Sequence, residues 1–286
     1  MMMKSLIRNT LGVIAICFIG FGSAQASEEG ATPHYPIEHP KHVHWSFAGP
    51  FGHWDLAQLQ RGFKIYHEVC SACHAMKLVA YRNLQELGFS EAQVKAYIAE
   101  NEIEVDAEPN EDGEVEKRAA KPSDLFVPPF ENDEAAKANN NGALPPDFSL
   151  LAKARAPERG FPNFVFDVFT MYAENGPDYI YSLLTGYQEA PAGVKVEDGT
   201  HYNPYFIAGP ALAMAAPLSD GQVTYDDGSP ETLDQYSKDI SAFMMWAAEP
   251  KLVERKSLGF KVMIFLLVFA GLMYFTKKKI WSDVKH

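Results

Sequence analysis

Apolar side chains recur at helical spacing in some stretches of this chain and lose all period in others. Leu56, Leu59, Phe63, Tyr66 and Val69 stand three or four positions apart, which predicts one buried face of a helix over 55–70 with Asp55 as its cap. Leu233, Tyr236, Ile240, Phe243 and Ala247 repeat that spacing. Before them Ser229-Pro230-Glu231 supplies a cap, a proline for the first helical position and an acid for the first turn, and Pro250 marks the stop. Residues 75–99 read as helical around Leu84 and again over 90–98, with Ser90 as N-cap. Helix resumes over 147–156 on Phe148, Leu151 and Ala152. The aromatic-dense run 161–184 predicts one or two core helices, broken at Asn175-Gly176-Pro177.

Both ends carry a different signature. Lys4 and Arg8 precede an apolar stretch from Leu11 to Phe21, and Ala24-Gln25-Ala26 offers a small-x-small cleavage pattern. That predicts a cleaved signal peptide over 1–26, with the exported chain starting at Ser27. Near the other end, Gly259 to Phe275 carries one charge, Lys261, near its edge, and Leu258 and Thr276 extend it. A membrane anchor over 258–276 is the expectation. Lys277, Lys278 and Lys279 follow at once, and the positive-inside rule puts the tail 277–286 in the cytoplasm and residues 27–257 in the periplasm.

Four stretches lack periodicity. Residues 27–50 are rich in proline and histidine (His34, His39, His42, His44) and predict a solvated or partner-facing arm. Glu100 to Glu116 holds nine acidic residues and no basic one. It opens an exposed acidic insertion over about 100–134, either a solvated loop or an electrostatic landing patch for a basic partner. Residues 121–146 read as a loop, with prolines at 122, 128, 129, 145 and 146 and a turn at Asn139-Asn140-Asn141-Gly142. Residues 185–217 form a long irregular wrap, and such stretches are uncommon unless functional.

A formal net charge of −12 argues against nucleic acid as a partner. No Gly-rich phosphate loop, GxSxG elbow, HExxH pair or internal repeat is present. The chemistry concentrates instead in Cys70-Ser71-Ala72-Cys73-His74, among only three cysteines in the chain, the third being Cys17 in the expected leader. A structural zinc site would want a second such pair, and a thioredoxin-like dithiol has no use for the histidine. The pattern is that of covalent haem attachment: two thiols add across the vinyl groups, and His74 serves as proximal ligand.

The opposite face of such a haem needs a cover. Of ten methionines, Met214 lies in the irregular wrap among small residues, in Gly209-Pro210-Ala211-Leu212-Ala213-Met214-Ala215-Ala216-Pro217. Met171 sits in an apolar helical run, His201 in the wrap; either of these, or no ligand at all, remains open on the residues alone. Arg155 and Lys153 could pair with haem propionates or simply face solvent.

The matching pieces now cover almost the whole exported length. They are Arg61-Gly62-Phe63 leading into Cys70–His74, Val79-Ala80-Tyr81-Arg82, Asn141 to Asp147, Ala154-Arg155-Ala156, Tyr179 to Tyr187, Tyr202 to Phe206, Met214-Ala215-x-Pro217, and Trp246 to Pro250 before the anchor. With these the chain resembles the cytochrome c1 family, the haem subunit of the quinol–cytochrome c reductase (bc1) complex, in its alphaproteobacterial or mitochondrial form. The resemblance implies a mainly α fold, an elaborated class I c-type cytochrome domain with one C-terminal transmembrane helix. It implies one haem c on Cys70 and Cys73, axial ligands His74 and Met214, and propionate contacts from Arg155 and Tyr179. The implied role is passing one electron from a Rieske iron–sulfur protein to a cytochrome c, beside cytochrome b in a dimeric complex in the inner membrane, with no bond chemistry by this chain alone. Some bacterial relatives carry an extra disulfide near the haem; this chain has no cysteines for one.

Overall fold

Arg61 reaches from one helix to another across the centre of the molecule, and the fold is organised around that crossing. The computed structural model describes residues 37–283. The expected leader, Cys17 within it, the arm residues through Pro36 and the last three positions of the tail lie outside the described residues. Helix α1 (Leu56–Glu68) starts where Asp55 accepts a hydrogen bond from the Gln58 amide at 3.1 Å. Leu59, Phe63 and Tyr66 are buried as the spacing predicts, whereas Leu56 is exposed.

Further helices follow in chain order: α2 (Glu91–Glu100), α3 (Asp133–Asn139), α4 (Leu151–Ala154), α5 (Asn163–Thr170), α6 (Asn175–Leu184), α7 (Leu233–Ala248) and α8 (Leu252–Ile280). A short 3-10 turn spans Cys70–Ala72 and a longer one Tyr81–Leu87. Strands are few: β1 (Glu104–Asp106) pairs antiparallel with β2 (Lys117–Ala119), and β3 (His201–Tyr202) with β4 (Ala211–Leu212). The chain is mainly helical.

Helices α1 and α7 form the central pair. Gly62 makes their close approach possible, because a Cβ there would sit 2.3 Å from the Asp239 carbonyl oxygen and 2.5 Å from Phe243 Cβ. Asp239 is fully buried and fully satisfied. It accepts from Arg61 Nε at 2.8 Å, Gln58 Nε2 at 3.1 Å, Gln235 Nε2 at 2.8 Å and the Tyr225 hydroxyl at 2.8 Å. Phe63, Tyr66 and Phe243 pack in one aromatic cluster with Phe126 and Phe148. Each such ring contributes roughly 1.5–3 kcal/mol by burial.

Several sequence expectations give way here. Helix α7 starts at Leu233, capped by Thr232 rather than Ser229, because the Leu233 amide donates to Asp220 and Glu231 turns back to accept from the Tyr225 amide. The acidic stretch is an ordered hairpin, its tip closed by Asn110, whose side-chain oxygen accepts from the amides of Asp112 and Glu114. The loop expected over 121–146 contains α3, capped by Asn132. The helix expected over 147–156 shrinks to the single turn of α4, since Asp147 and Ser149 spend their side chains on the Lys77 and Leu78 amides.

The arm is solvated only in part: residues 37–39, 41, 42 and 44 are exposed, but the chain then turns into the core. Trp45 and Phe47 are buried, and Asp178 on α6 draws the strand inward. That carboxylate accepts from the Val43 amide, Trp45 Nε1, His42 Nδ1 and the Tyr172 hydroxyl. Asn175-Gly176-Pro177 opens α6 instead of breaking a helix, as proline suits a first turn. Helix α5 is no core helix: Phe161, Phe164, Phe166 and Phe169 are all exposed.

Helix α8 begins inside the head. Leu252 and Lys256 are buried, and Lys256 Nζ lies 2.6 Å from Glu174 Oε1 and 3.1 Å from the Phe47 carbonyl. From Leu258 onward its side chains are largely exposed and apolar, and the helix is long and apolar enough to cross a membrane.

Candidate functional site

The turn after α1 delivers Cys70, Cys73 and His74 together. The amides of Cys73 and His74 both donate to the Cys70 carbonyl, at 3.1 and 2.9 Å, so the three side chains leave one tight bend. His74 is buried, its carbonyl accepts from the Tyr66 hydroxyl at 3.2 Å, and its ring stacks on Phe148 with centroids 4.2 Å apart. Its Nδ1 lies 2.8 Å from the Pro146 carbonyl. A carbonyl only accepts, so Nδ1 carries the proton and Nε2 presents a lone pair. Burial lowers the His74 pKa and favours the neutral imidazole that a metal ligand must be.

No disulfide joins Cys70 and Cys73. Burial pushes the Cys70 thiol up to about 12, with Cys73 adding to it. A redox dithiol needs the opposite, a stabilised thiolate. The donor set therefore fits a haem held by two thioethers and an imidazole, with a ring tautomer already selected.

A second group surrounds Met214. The residue is half-buried, between exposed Ala213 and Ala215. The Tyr187 hydroxyl donates to the Met214 carbonyl at 3.0 Å. Tyr187 lies near Tyr179, and burial pushes both phenols up. At Tyr179 this is opposed by a backbone hydrogen bond at Ile207 and by the charge of Arg155, whose guanidinium is exposed. Residues 146–155 serve the first group: Pro146 and Phe148 hold His74, and Arg155 caps the end of α4.

The other candidates for a sixth ligand are Met171 and His201. Met171 caps the end of α5, and its methyl lies 3.7 Å from where a Cβ on Gly259 of α8 would stand. His201 is exposed in β3, opposite Leu212. Lys153 pairs with Glu249 at 2.6 Å, leaving Arg155 as the basic residue of α4 near the site.

Over residues 45–284 the sequence matches the Cytochrome C1 family. The chain belongs to the cytochrome c1 family. Members of the family carry covalently bound haem c and are the electron-transfer subunit of the bc1 complex. A cytochrome c1 from Blastochloris viridis is 44% identical over 96% of this chain and 97% of its own length. A mitochondrial cytochrome c1 heme protein from Solanum tuberosum is 41% identical over 93% of both. A protein named cytochrome b/c1 from Bradyrhizobium diazoefficiens is 50% identical over 94% of this chain, which spans 40% of that longer relative.

The roles of Pro146, Phe148 and Tyr187 are not legible in sequence. Pro146 acts through its carbonyl, which no side-chain pattern reports. Tyr187 bonds a backbone oxygen 27 positions away. The run Pro145-Pro146-Asp147-Phe148 was the available signal, as a rigid bend entering an aromatic.

Proposed function

We propose that this chain relays one electron at a time from a Rieske iron–sulfur protein to a cytochrome c, beside cytochrome b in a dimeric bc1 complex. It would hold haem c through Cys70 and Cys73, with His74 Nε2 and the Met214 sulfur as axial ligands. The observation that carries this reading is the hydrogen bond between His74 Nδ1 and the Pro146 carbonyl, since it selects the tautomer that leaves Nε2 free to ligate a metal. Met214 is supported by its setting among small residues and by Tyr187, which pins its backbone.

Haem supplies the one-electron couple when bound; the residues around it set how that couple behaves. A thioether opposite an imidazole favours a high potential. Arg155, whose charge acts on Tyr179, would pair with a propionate and offset the charge of that group near the iron. The acidic hairpin presents carboxylates on β1 and its tip. Among the described residues Asp106 alone of the nine in 100–116 has a cation partner, Lys117 at 2.5 Å. That leaves a negative surface for a basic cytochrome c. We place residues 27–257 in the periplasm, the span at 258–276 and the tail in the cytoplasm, on the three lysines of the last turn of α8.

Purification in mild detergent tests the assembly: a cytochrome b and a Rieske protein should travel with this chain. The ligand assignment is tested by Met214→Leu. It should lower the midpoint potential by part of the ~0.8 V that axial ligands can set, and the reduced protein should then bind carbon monoxide. An unchanged potential, or rapid carbon monoxide binding by the unsubstituted protein, would reject it.

A further inference from the structure

Helix α5 is built inside out. Phe161 just before it and Phe164, Val165, Val168 and Phe169 on it fall at the spacing of a single helical stripe, and all of them are exposed, as is Phe166 on another side. Phe161 is 82% exposed and Phe169 75%. The one charge on α5, Asp167, is matched by Arg159 at 2.5 Å, whose guanidinium also lies 4.2 Å above the Tyr172 ring. The element therefore shows its surroundings an apolar face with its only charge neutralised.

Its position says what covers that face. Met171, directly after α5, touches α8 at Gly259, and Glu174 pairs with Lys256 on the same helix. These are the positions where α8 passes from buried to exposed and apolar: Lys256 is 2% exposed and Leu258 62%. So the stripe on α5 lies at the level where the candidate membrane span begins and continues its apolar surface. Eight residues make a rod of about 12 Å, suited to lying flat in an interface.

We propose that α5 rests in the lipid–water interface of the bilayer that α8 crosses, with its phenylalanines among the acyl chains as a second, shallow membrane contact. Phenylalanine on an interfacial helix sits at the headgroup–acyl boundary, and binding there scales with buried apolar area. This inference depends on reading α8 as a membrane span, and the test separates the two.

Single cysteines replace Val168 on α5, Leu266 on α8 and Glu111 at the hairpin tip, in the intact complex reconstituted in phosphatidylcholine–phosphatidylglycerol vesicles. Each carries a nitroxide, corrected against the unsubstituted complex. Collision rates are measured with oxygen, which concentrates in lipid, and with a water-soluble nickel chelate. The oxygen-to-nickel ratio at V168C should be several-fold above that at E111C and below that at L266C. A ratio at V168C equal to the hairpin's means a solvated helix and overturns the proposal. Protection from both reagents means a covering protein subunit and overturns it too. If L266C also reads as aqueous, the membrane reading of α8 fails and takes this one with it; lipid exposure at L266C alone sinks only α5. Should V168C lose its haem spectrum, Phe169→Cys on the same exposed stripe replaces it.

Discussion

His74 and Met214 are proposed to grip the same iron, yet the segments that carry them are built differently. Around His74 the ring is stacked, its Nδ1 proton is placed on a carbonyl, its own carbonyl is bonded by Tyr66, and Phe148 behind it belongs to the α1–α7 aromatic core. Around Met214 the chain is irregular and flanked by exposed alanines. It is tied down by one tyrosine hydrogen bond and a pairing of two-residue strands. The first segment inherits its order from the hydrophobic core; the second is held by a few polar tethers between the buried side chains of Leu212 and Leu218. Burial makes one ligand expensive to move, and sparse tethering makes the other the site where ligation is lost first.

The largest effect that would probe this contrast is on the ordered side. Phe148→Ala should cost about 3–5 kcal/mol of global stability, read as a shifted denaturation midpoint in detergent. A loss confined to the haem spectrum would show that Phe148 is local and not part of the core. Met214→Leu should do the reverse. Its stability cost should stay under about 1.5 kcal/mol, while amide exchange quickens over 201–217 and stays slow near His74. Equal quickening in both segments would erase the distinction. A smaller change is expected from Tyr187→Phe, which removes one hydrogen bond worth about 1 kcal/mol. It should raise the fraction of reduced protein that binds carbon monoxide while shifting the thermal midpoint by only about 2–4 °C.

Smallest is the effect of the hairpin, which belongs to neither segment. Neutralising Glu108, Glu111, Asp112 and Glu114 should slow oxidation by a basic cytochrome c by up to about tenfold at low salt and little at high salt. Both axial ligands should be spectroscopically unchanged. A rate independent of these acids at every ionic strength would leave the hairpin a solvated ornament.

What sequence could foresee follows the same division between local and distant causes. Helix α1 was legible because its cap and its stripe lie within its own residues. The Cys70–His74 turn was legible because its chemistry is written in adjacent positions. The burial of Trp45 and Phe47 was not, since the carboxylate that draws that strand inward, Asp178, stands 133 positions beyond Trp45. The start of α7 moved because Asp220 and Tyr225, in a preceding loop, claimed groups that Ser229-Pro230-Glu231 would have used. Strands of three residues are too short to show an alternation, so the acidic stretch hid its hairpin. Helix α5 failed for a different reason: an apolar stripe announces that something covers it, but not whether that is the protein's own core.

The root of α8 has a mechanical consequence. Three residues, Glu249 to Lys251, separate it from α7, and Lys256 plugs it into the head beneath Phe47. Such a joint is a mast stepped into a hull, with no slack on which to swing. The haem would then ride at one altitude and one compass bearing over the bilayer. Any redox protein that trades electrons with it must do the travelling.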